Sequence, residues 1–360
     1  MKRYNKVIIY YFTGTGNALK AARWICEEAE KNNIESKLFP IDGNYKPNIE
    51  EIDSGTLIGF LSPTHGFNIA PVMLKFISRF PKNRNADVFI LNTRAGLKLS
   101  KLFIPGLSGA AQFLPMIILK LKGYKIAGGL PLDMPSNWLF FHPGLNSHTV
   151  NSIVDRCEKT TKIFIENILG GNKIFRKVLI TLPIDIALLP ITLLYYYYAR
   201  FIFAKTMIYT SNCNSCMICV DNCPVNALKI VNDKPYWSYS CESCMRCVNI
   251  CPKTSIQTSH LIFFMILIIP GYLFNHFLVG YLQFPEFLDY GFIQSIIEMV
   301  ITLIELFIIY SVIQRFLKYK YFSGLFKYTS LSAYWRKYLA PGISLKDFLK
   351  LKKNEKNKND

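Results

Sequence analysis

Two cysteine runs of identical spacing constrain this chain more than any other feature. Each run places four cysteines within eleven residues and ends in proline, and the second repeats the first 28 residues later. Cysteines three residues apart in a tight loop can direct three thiolates at one point. The proline turns the chain away, so the fourth cysteine must serve another site. The two runs are Cys213, Cys216, Cys219 and Cys223, and Cys241, Cys244, Cys247 and Cys251.

Metal ligation explains these cysteines better than disulfide bonds do. The N-terminal "MKRYNKVIIYYFTGTGN" has a short apolar run and no small-residue cleavage site, so we expect this part of the chain to stay in the cytoplasm. Disulfides rarely persist there. Structural zinc is the alternative metal, but it typically uses two C-x2-C pairs separated by a longer loop. The spacing C-x2-C-x2-C-x3-C-P instead favours iron–sulfur clusters.

Residues 206–259 resemble a bacterial-type 2[4Fe-4S] ferredoxin, including the "PVNALKI" after the first run and the "KPYWSYS" before the second. This resemblance implies two [4Fe-4S] clusters, with the last cysteine of each run serving the other cluster. The remaining cysteines, Cys26 and Cys157, are expected to be structural. The first implied ligand set is Cys213, Cys216, Cys219 and Cys251. The second is Cys241, Cys244, Cys247 and Cys223.

The N-terminal region predicts a strand, a glycine loop and a helix. Residues 6–12 form a β-branched and aromatic run, and residues 18–31 carry apolar side chains at helical spacing. The glycines and the helix N-terminus between them favour a bound phosphate. The loop is neither a P-loop nor a complete G-x-G-x-x-G motif, so a simple strand–helix turn is the alternative.

Four further strand runs alternate with helical stretches and predict an α/β fold. The runs cover residues 35–41, 56–62, 87–92 and 124–132, and a last amphipathic helix covers residues 147–169. Alternation of this kind predicts a doubly wound, five-stranded parallel sheet with ligands at the carboxyl ends of its strands. We expect loops there at Pro63–Asn68 and Thr93–Leu97.

Residues 5–168 resemble a flavodoxin in "FTGTGNA", "SPTHGFNIAPVMLKFI", "LNTRAG" and "DMPSNW". The resemblance implies FMN, although Ala18 stands where a hydroxyl residue usually contacts the phosphate. Flanking tryptophan and tyrosine rings are not evident, but Phe67 could take their place. The implied phosphate loop is Thr13, Gly14, Thr15, Gly16 and Asn17. The implied ring-binding residues are Pro63, Thr64, His65, Gly66, Phe67, Thr93 and Gly96.

Three apolar stretches, Val178–Tyr198, Leu261–Leu282 and Phe292–Phe316, approach the length that spans a bilayer. The second and third predict a transmembrane hairpin, because their link lacks Lys and Arg while twelve basic and three acidic residues lie from Arg315 onward. Much of the net charge of +18 therefore suits an anionic membrane surface, and no nucleic-acid motif is visible.

The first apolar stretch is interrupted by Pro183, Asp185 and Pro190, and both of its flanks are basic. These features favour a re-entrant or interfacial segment, with a buried linker helix as the alternative. A single crossing would separate the flavin and cluster domains on opposite sides of the membrane.

The predicted organisation has five parts: a flavodoxin-like FMN domain (1–170), an interfacial linker (171–205), a 2[4Fe-4S] domain (206–259), two transmembrane helices (260–317) and a basic cytoplasmic tail (318–360). A flavodoxin-like half joined to a ferredoxin half resembles fused flavodoxin–ferredoxin proteins, which implies electron transfer to a redox partner protein or a quinone. We expect a multi-pass protein of the cell membrane, with both redox domains in the cytoplasm. The alternatives are a flavin-dependent terminal reductase and an iron–sulfur sensor without FMN.

Overall fold

The computed structural model describes residues 3–41, 52–82, 85–273 and 291–348. The chain forms two compact units. The first unit draws on Met1–Trp138, Gly144–Tyr196 and Tyr338–Asp360, and the second on Leu139–Pro143 and Tyr197–Lys337. In the described part of the predicted basic tail, residues 318–337 belong to the second unit and residues 338–348 to the first.

A parallel sheet forms the centre of the first unit and confirms the predicted fold class. Its strands carry β-branched and aromatic side chains, and most residues of the central strands are buried. The strands are β1 (Lys6–Tyr11), β2 (Glu35–Pro40), β3 (Thr56–His65), β4 (Asn68–Ile69), β5 (Asp87–Leu99), β6 (Leu102–Ile104) and β7 (Lys125–Pro135). Five of them run parallel in the order β2-β1-β3-β5-β7, which is the flavodoxin-like order.

Four helices flank the sheet in two packed pairs. Helix α1 (Asn17–Lys31) packs against α4 (Ser147–Leu169), and α2 (Pro71–Arg79) packs against α3 (Phe113–Leu121). The amphipathic helix predicted over residues 147–169 is confirmed with those bounds. Its N-cap is Asn146, whose side chain accepts the Thr149 amide at 2.8 Å.

Two strands run past their predicted ends. Strand β3 continues to His65 and pairs with β4, and β5 continues to Leu99. The loop predicted at Thr93–Leu97 is therefore wrong: these residues pair with β7 as far as Gly96 and then with β6. The partner strands stabilise this extension, and a local pattern of residues does not reveal them.

The predicted linker forms α5 (Arg176–Ala187) and α6 (Leu189–Leu194), which belong to the first unit. The distribution of their side chains is unusual. Asp185 and Thr192 are buried, at 1% and 2% exposure, and Val178 is buried with them, while most of the other apolar side chains point outward. We call these outward residues the outer face of α5–α6. They are Leu179, Ile180, Ile184, Ile186, Ile191, Leu193 and Leu194, each about half exposed or more.

The second unit contains short strands and helices followed by longer apolar helices. Strand β8 pairs with β11 and β9 with β10, each antiparallel. Its elements are α7 (Arg200–Ala204), β8 (Met207–Tyr209), α8 (Ile218–Asp221), β9 (Leu228–Val231), β10 (Lys234–Trp237), α9 (Arg246–Ile250), β11 (Ile256–Thr258), α10 (His260–Leu273), α11 (Gly291–Phe316) and α12 (Lys320–Tyr328).

One helix among the described residues, Ser295–Phe316, is long and apolar enough to cross a membrane. A second candidate arises only if Arg176–Ala187 and Leu189–Ala204, which meet at a 73° bend, count as one span. Helix α10 packs against α11, but the connection predicted between them lies outside the described residues. The transmembrane hairpin is not confirmed, and a multi-pass arrangement is not supported.

Candidate functional site

The two cysteine loops of the second unit have the same backbone conformation. Left-handed φ values, which are uncommon outside glycine, occur at Ser215 (59°) and Met217 (58°) and again at Ser243 (49°) and Met245 (61°). Each such pair flanks the second cysteine of its run. Strained backbone that recurs at equivalent positions indicates loops shaped for a site. The repeat seen in the sequence is therefore a structural repeat.

The first predicted ligand set lines one small cavity, which contains Cys213, Cys216, Cys219 and Cys251. Burial, followed by the proximity of Cys251 and Cys213, raises the pKa of the Cys219 thiol to about 12. Cys216 is exposed and the other three thiols are partly exposed. The structure thus brings the last cysteine of the second run to the first three of the first run.

The second set is more deeply buried. Burial raises the pKa values of Cys241 and Cys247, and that of Cys244 to about 11, with further contributions from neighbouring thiols of the same set. Cys223 contributes to the rise at both Cys241 and Cys244. Cys223 of the first run therefore lies near Cys241 and Cys244 of the second run, as the predicted exchange of the fourth cysteine requires. A buried site and a more exposed one are expected to differ in reduction potential.

Both sets consist of four cysteine sulfurs, which are the ligands of [4Fe-4S] clusters. Backbone amides already donate to two of the sulfurs, from Ala227 to Cys223 Sγ at 3.2 Å and from Ser255 to Cys251 Sγ at 3.3 Å. Within the described part of the chain, no three His, Cys, Asp or Glu side chains are placed to hold a single metal ion.

A buried lysine lies beside the second set, and the sequence patterns did not reveal it. Lys205 is 0% exposed, and its ammonium group donates to the Trp237 carbonyl at 2.7 Å. Burial lowers its pKa to about 8, and the nearby Cys241 opposes that shift. Three rings surround the ammonium group, which compensates in part for its lost hydration. The distances from Nζ to the ring centroids are 4.9 Å for Tyr236, 4.3 Å for Tyr239 and 4.4 Å for Tyr310.

In the first unit, the predicted phosphate loop joins β1 to α1. Gly16 caps the helix at φ 100°, a conformation that disfavours any side chain, and its amide donates to Thr13 Oγ1 at 3.0 Å. Thr15 Oγ1 accepts the Asn137 side-chain amide at 2.7 Å. The sequence could not show that Asn137 reaches this loop. The backbone of the loop and the start of a 15-residue helix fit a phosphate group.

A C-terminal segment covers this loop. The Tyr338 hydroxyl donates to Asn17 Oδ1 at 2.6 Å, and the Ala340 amide donates to the Thr15 carbonyl at 2.9 Å. The Ile343 side chain lies where a Cβ on Gly16 would come within 2.9 Å of it. Thr13, Thr15 and Asn17 are consequently buried by the chain itself. The loop backbone suits a phosphate, and the C-terminal segment lies over it.

The predicted ring-binding loop is also in contact with the linker. Gly66 and Phe67 have φ of 53° and 62°, and the Tyr195 ring lies so close that a Cβ on Gly66 would be 2.0 Å from it. Tyr195 also meets Trp138 edge-on. Burial lowers the pKa of His65 to about 4, so its imidazole is neutral at neutral pH. Tyr195 and Trp138 are the aromatic neighbours that the sequence patterns missed.

The other predicted flavin residues lie at the carboxyl ends of β3 and β5, where ligands of this fold bind. Asn92 connects the two strands, because its side chain donates to Thr64 Oγ1 and accepts from Gln112. Pro63 pairs with the buried Thr93. Gly96 lies directly against the Asp133 backbone. The structure therefore gathers these residues at one edge of the sheet, while their roles toward a flavin stay predictions.

The comparisons with known proteins identify one region of the chain by its sequence. A family model described as "4Fe-4S dicluster domain" matches residues 212–256. At the level of sequence, no curated protein matches the chain. Residues 212–256 thus carry a 4Fe-4S dicluster domain, and the strand order of the first unit is flavodoxin-like. An iron–sulfur domain and a sheet of flavodoxin-like strand order therefore occur in one chain.

Several solved structures are similar to less than half of the chain. A Streptococcus pneumonia TIGR4 flavodoxin is 10% identical, with 46% of this chain and 99% of that one covered and a TM-score of 0.31. Flavodoxin 1 from Bacillus cereus is 12% identical, with 45% and 97% covered and a TM-score of 0.29. The rubredoxin oxygen:oxidoreductase of the anaerobe Desulfovibrio gigas is 16% identical, with a TM-score of 0.28. This chain spans only 38% of its length, and 47% of this chain is covered. The fold assignment rests on the sheet itself.

Proposed function

We propose that the protein is a membrane-attached electron-transfer protein that relays electrons between FMN, two [4Fe-4S] clusters and a redox partner. The observation that carries the proposal is the reciprocal pair of four-cysteine sets in the second unit. When bound, FMN would supply two-electron chemistry and each cluster one-electron chemistry. The partner is a protein or a quinone at the membrane.

The protein's own residues would hold and tune these groups. The amides of Ala227 and Ser255 donate to cysteine sulfurs, and hydrogen bonds of this kind raise cluster potentials. Lys205 brings a positive charge to the buried set. At the flavin site, Thr13 to Asn17 would bind the phosphate, while Gly66, Phe67 and Tyr195 would border the ring system.

Membrane attachment is supported by the outer face of α5–α6, where polar side chains are buried and apolar ones face outward. A soluble surface helix shows the opposite arrangement. An interfacial helix buries such an apolar face in the boundary between headgroups and acyl chains. We therefore propose attachment at the cytoplasmic surface of the cell membrane.

Four serine variants would test the ligand sets in protein purified without oxygen. Wild type should contain about eight iron atoms per chain. Cys213→Ser and Cys251→Ser should leave the same remaining paramagnetic-resonance signal. Cys241→Ser and Cys223→Ser should leave the other signal. If Cys251→Ser instead matched Cys241→Ser, each run would serve one cluster and the exchange would be wrong.

Flavin content tests the other half of the relay. We expect about one FMN per chain, released on acid precipitation and reduced in step with the clusters. Ala18→Ser, which restores a hydroxyl at the loop, should tighten FMN binding. A protein with two clusters and no affinity for FMN would overturn the flavin part of the proposal and favour an iron–sulfur sensor or a conduit served by a separate flavoprotein.

A further inference from the structure

A β-hairpin in the first unit exposes leucines between lysines. Leu99 and Leu102, at the turn from β5 to β6, are 64% and 65% exposed, and Lys98 and Lys101 alternate with them. We call residues 97–102 the leucine hairpin. Exposed leucines beside cations suit a membrane surface, where the apolar side chains enter the headgroup region and the cations attract anionic lipids.

Between the leucine hairpin and α5 lies an open cavity of about 230 Å³. Its lining includes Leu97 from the hairpin and Lys177 and Ile180 from α5. Ile180 also belongs to the outer face of α5–α6 and is 67% exposed. The cavity therefore opens between two elements that both present apolar side chains to the surroundings.

The charge of the cavity is positive. Asp133 is the one carboxylate among the described residues that line it, and Arg94 neutralises this group through an Nε–Oδ1 contact of 2.6 Å. Arg156 and Lys177 line the cavity and are exposed, and neither forms an ion pair with a carboxylate among the described residues. Asp133 acts on Lys177 only through its charge. The Arg156 guanidinium lies 4.3 Å from the centre of the Phe103 ring, which orients it at the opening. A bound anion would balance the positive charges of Arg156 and Lys177.

We propose that this cavity binds the phosphate headgroup of an anionic phospholipid, with the leucine hairpin and the outer face of α5–α6 in contact with the same leaflet. Arg156 and Lys177 contact the phosphate, and the leucines and isoleucines on either side contact the acyl region. A soluble anion would need the two cations but would leave both exposed apolar elements without a role. This inference rests on the membrane attachment proposed above.

Vesicle flotation of the purified full-length protein with its clusters tests the proposal. The probes are vesicles of phosphatidylcholine alone and of phosphatidylcholine mixed with phosphatidylglycerol. We expect tighter binding to the anionic vesicles. Each basic side chain near an anionic surface contributes about fivefold in affinity, so Arg156→Gln with Lys177→Gln should weaken that binding roughly twentyfold. Binding to neutral vesicles should not change.

Two further variants distinguish a specific binding site in the cavity from non-specific electrostatic attraction to the membrane. Lys159→Gln removes a cation from the same helix as Arg156 but outside the cavity, and should weaken anionic binding much less. Thr160→Phe keeps every charge and fills part of the cavity, and should weaken binding to anionic vesicles about as much as the double variant does. Amide exchange in β1 and β3 should be unchanged in each variant, which shows that the first unit, where all these substitutions lie, is folded. Anionic binding that is unchanged by Thr160→Phe, or a loss with Lys159→Gln as large as that with the double variant, would overturn the headgroup site.

The outcomes also separate this site from membrane attachment itself. If the protein floats equally well with both vesicle types, attachment stands and the headgroup site is wrong. If it floats with neither, both are wrong. If inorganic phosphate at low concentration displaces the protein from anionic vesicles, the cavity binds a soluble anion and the lipid assignment is overturned.

Discussion

Asp185 is expected to hold helix α5 on the flavodoxin-like unit. Its carboxylate is buried, and Oδ1 accepts the backbone amides of Ser108 at 3.2 Å and Gly109 at 2.8 Å. Oδ2 accepts the Thr181 hydroxyl at 2.7 Å. The substitution Asp185→Leu keeps a side chain that branches at the same carbon, although a larger one, and removes all three bonds. It also leaves two buried amides without their acceptor.

The size of the effect follows from these contacts. A hydrogen bond to a charged group contributes about 1.5–3 kcal/mol, and a buried donor left without a partner costs about 1–3 kcal/mol. Water can hydrate the two amides once α5 separates from the rest of the unit, and this hydration limits the total free-energy cost of the substitution. We therefore expect local opening to become easier by about 3–5 kcal/mol. Since 1.4 kcal/mol is tenfold, amide exchange at Ser108 and Gly109 should accelerate by roughly a hundredfold to a few thousandfold.

Hydrogen–deuterium exchange followed by mass spectrometry, on a peptide covering residues 105–112, measures this directly. Thr181→Val removes one bond to the same carboxylate and should accelerate exchange by about tenfold or less. Asp185→Asn keeps an acceptor oxygen and should fall between the two. Amides of β1 should exchange as in wild type. Exchange in Asp185→Leu within about twofold of wild type would refute the reasoning and leave apolar contacts as the force that docks α5.

Three further outcomes follow from single contacts. Lys205→Met should lower the reduction potential of the more buried cluster by on the order of 50 mV, measured by anaerobic redox titration, and leave the other nearly unchanged. Gly66→Ala should destabilise the first unit by about 1–3 kcal/mol in chemical unfolding, because its Cβ would meet the Tyr195 ring, and Tyr195→Leu should restore much of the loss. Burial raises the pKa of Cys157 to about 12, so its alkylation by iodoacetamide should be very slow at pH 8 and should quicken about tenfold for each pH unit up to that value.

Sequence patterns predicted the features that depend on neighbours along the chain. The cysteine runs determine where thiolates can converge, and residues 212–256 carry the expected domain. Buried β-branched runs predicted all five parallel strands, since such runs exclude most other local structures. The end of β5 was misjudged because its partners, β6 and β7, come later in the chain.

Features that depend on distant contacts could not be predicted. Lys205 follows an apolar segment, so the sequence predicts a lysine at the end of a membrane helix. In the structure it is enclosed by tyrosines from two distant parts of the chain, residues 236–239 and Tyr310. In the same way, nothing local in "RKYLAPGI" indicates that Tyr338 reaches Asn17, more than three hundred residues earlier.

Packing within the second unit bears on how α11 meets the membrane. The Tyr239 hydroxyl donates to the Leu303 carbonyl at 2.9 Å, and the Tyr310 hydroxyl donates to the Met207 carbonyl at 3.0 Å. From about residue 303, one side of the helix therefore lies on the cluster-binding part of the unit. The residues of α11 before that point rise about 18 Å, well short of the 30 Å or so of a hydrocarbon core.

A complete crossing by α11 would pull polar strands of the cluster unit into lipid, where unsatisfied polar groups are costly. Attachment to one leaflet avoids that cost and still places exposed side chains such as Ile304 and Ile308 in the apolar boundary. A reporter enzyme fused after Asp289 distinguishes the two arrangements. Activity on the cytoplasmic side is the expected result. Activity on the outer side would restore the transmembrane hairpin and would require the contacts of Tyr239 and Tyr310 with their carbonyl partners to break in the membrane.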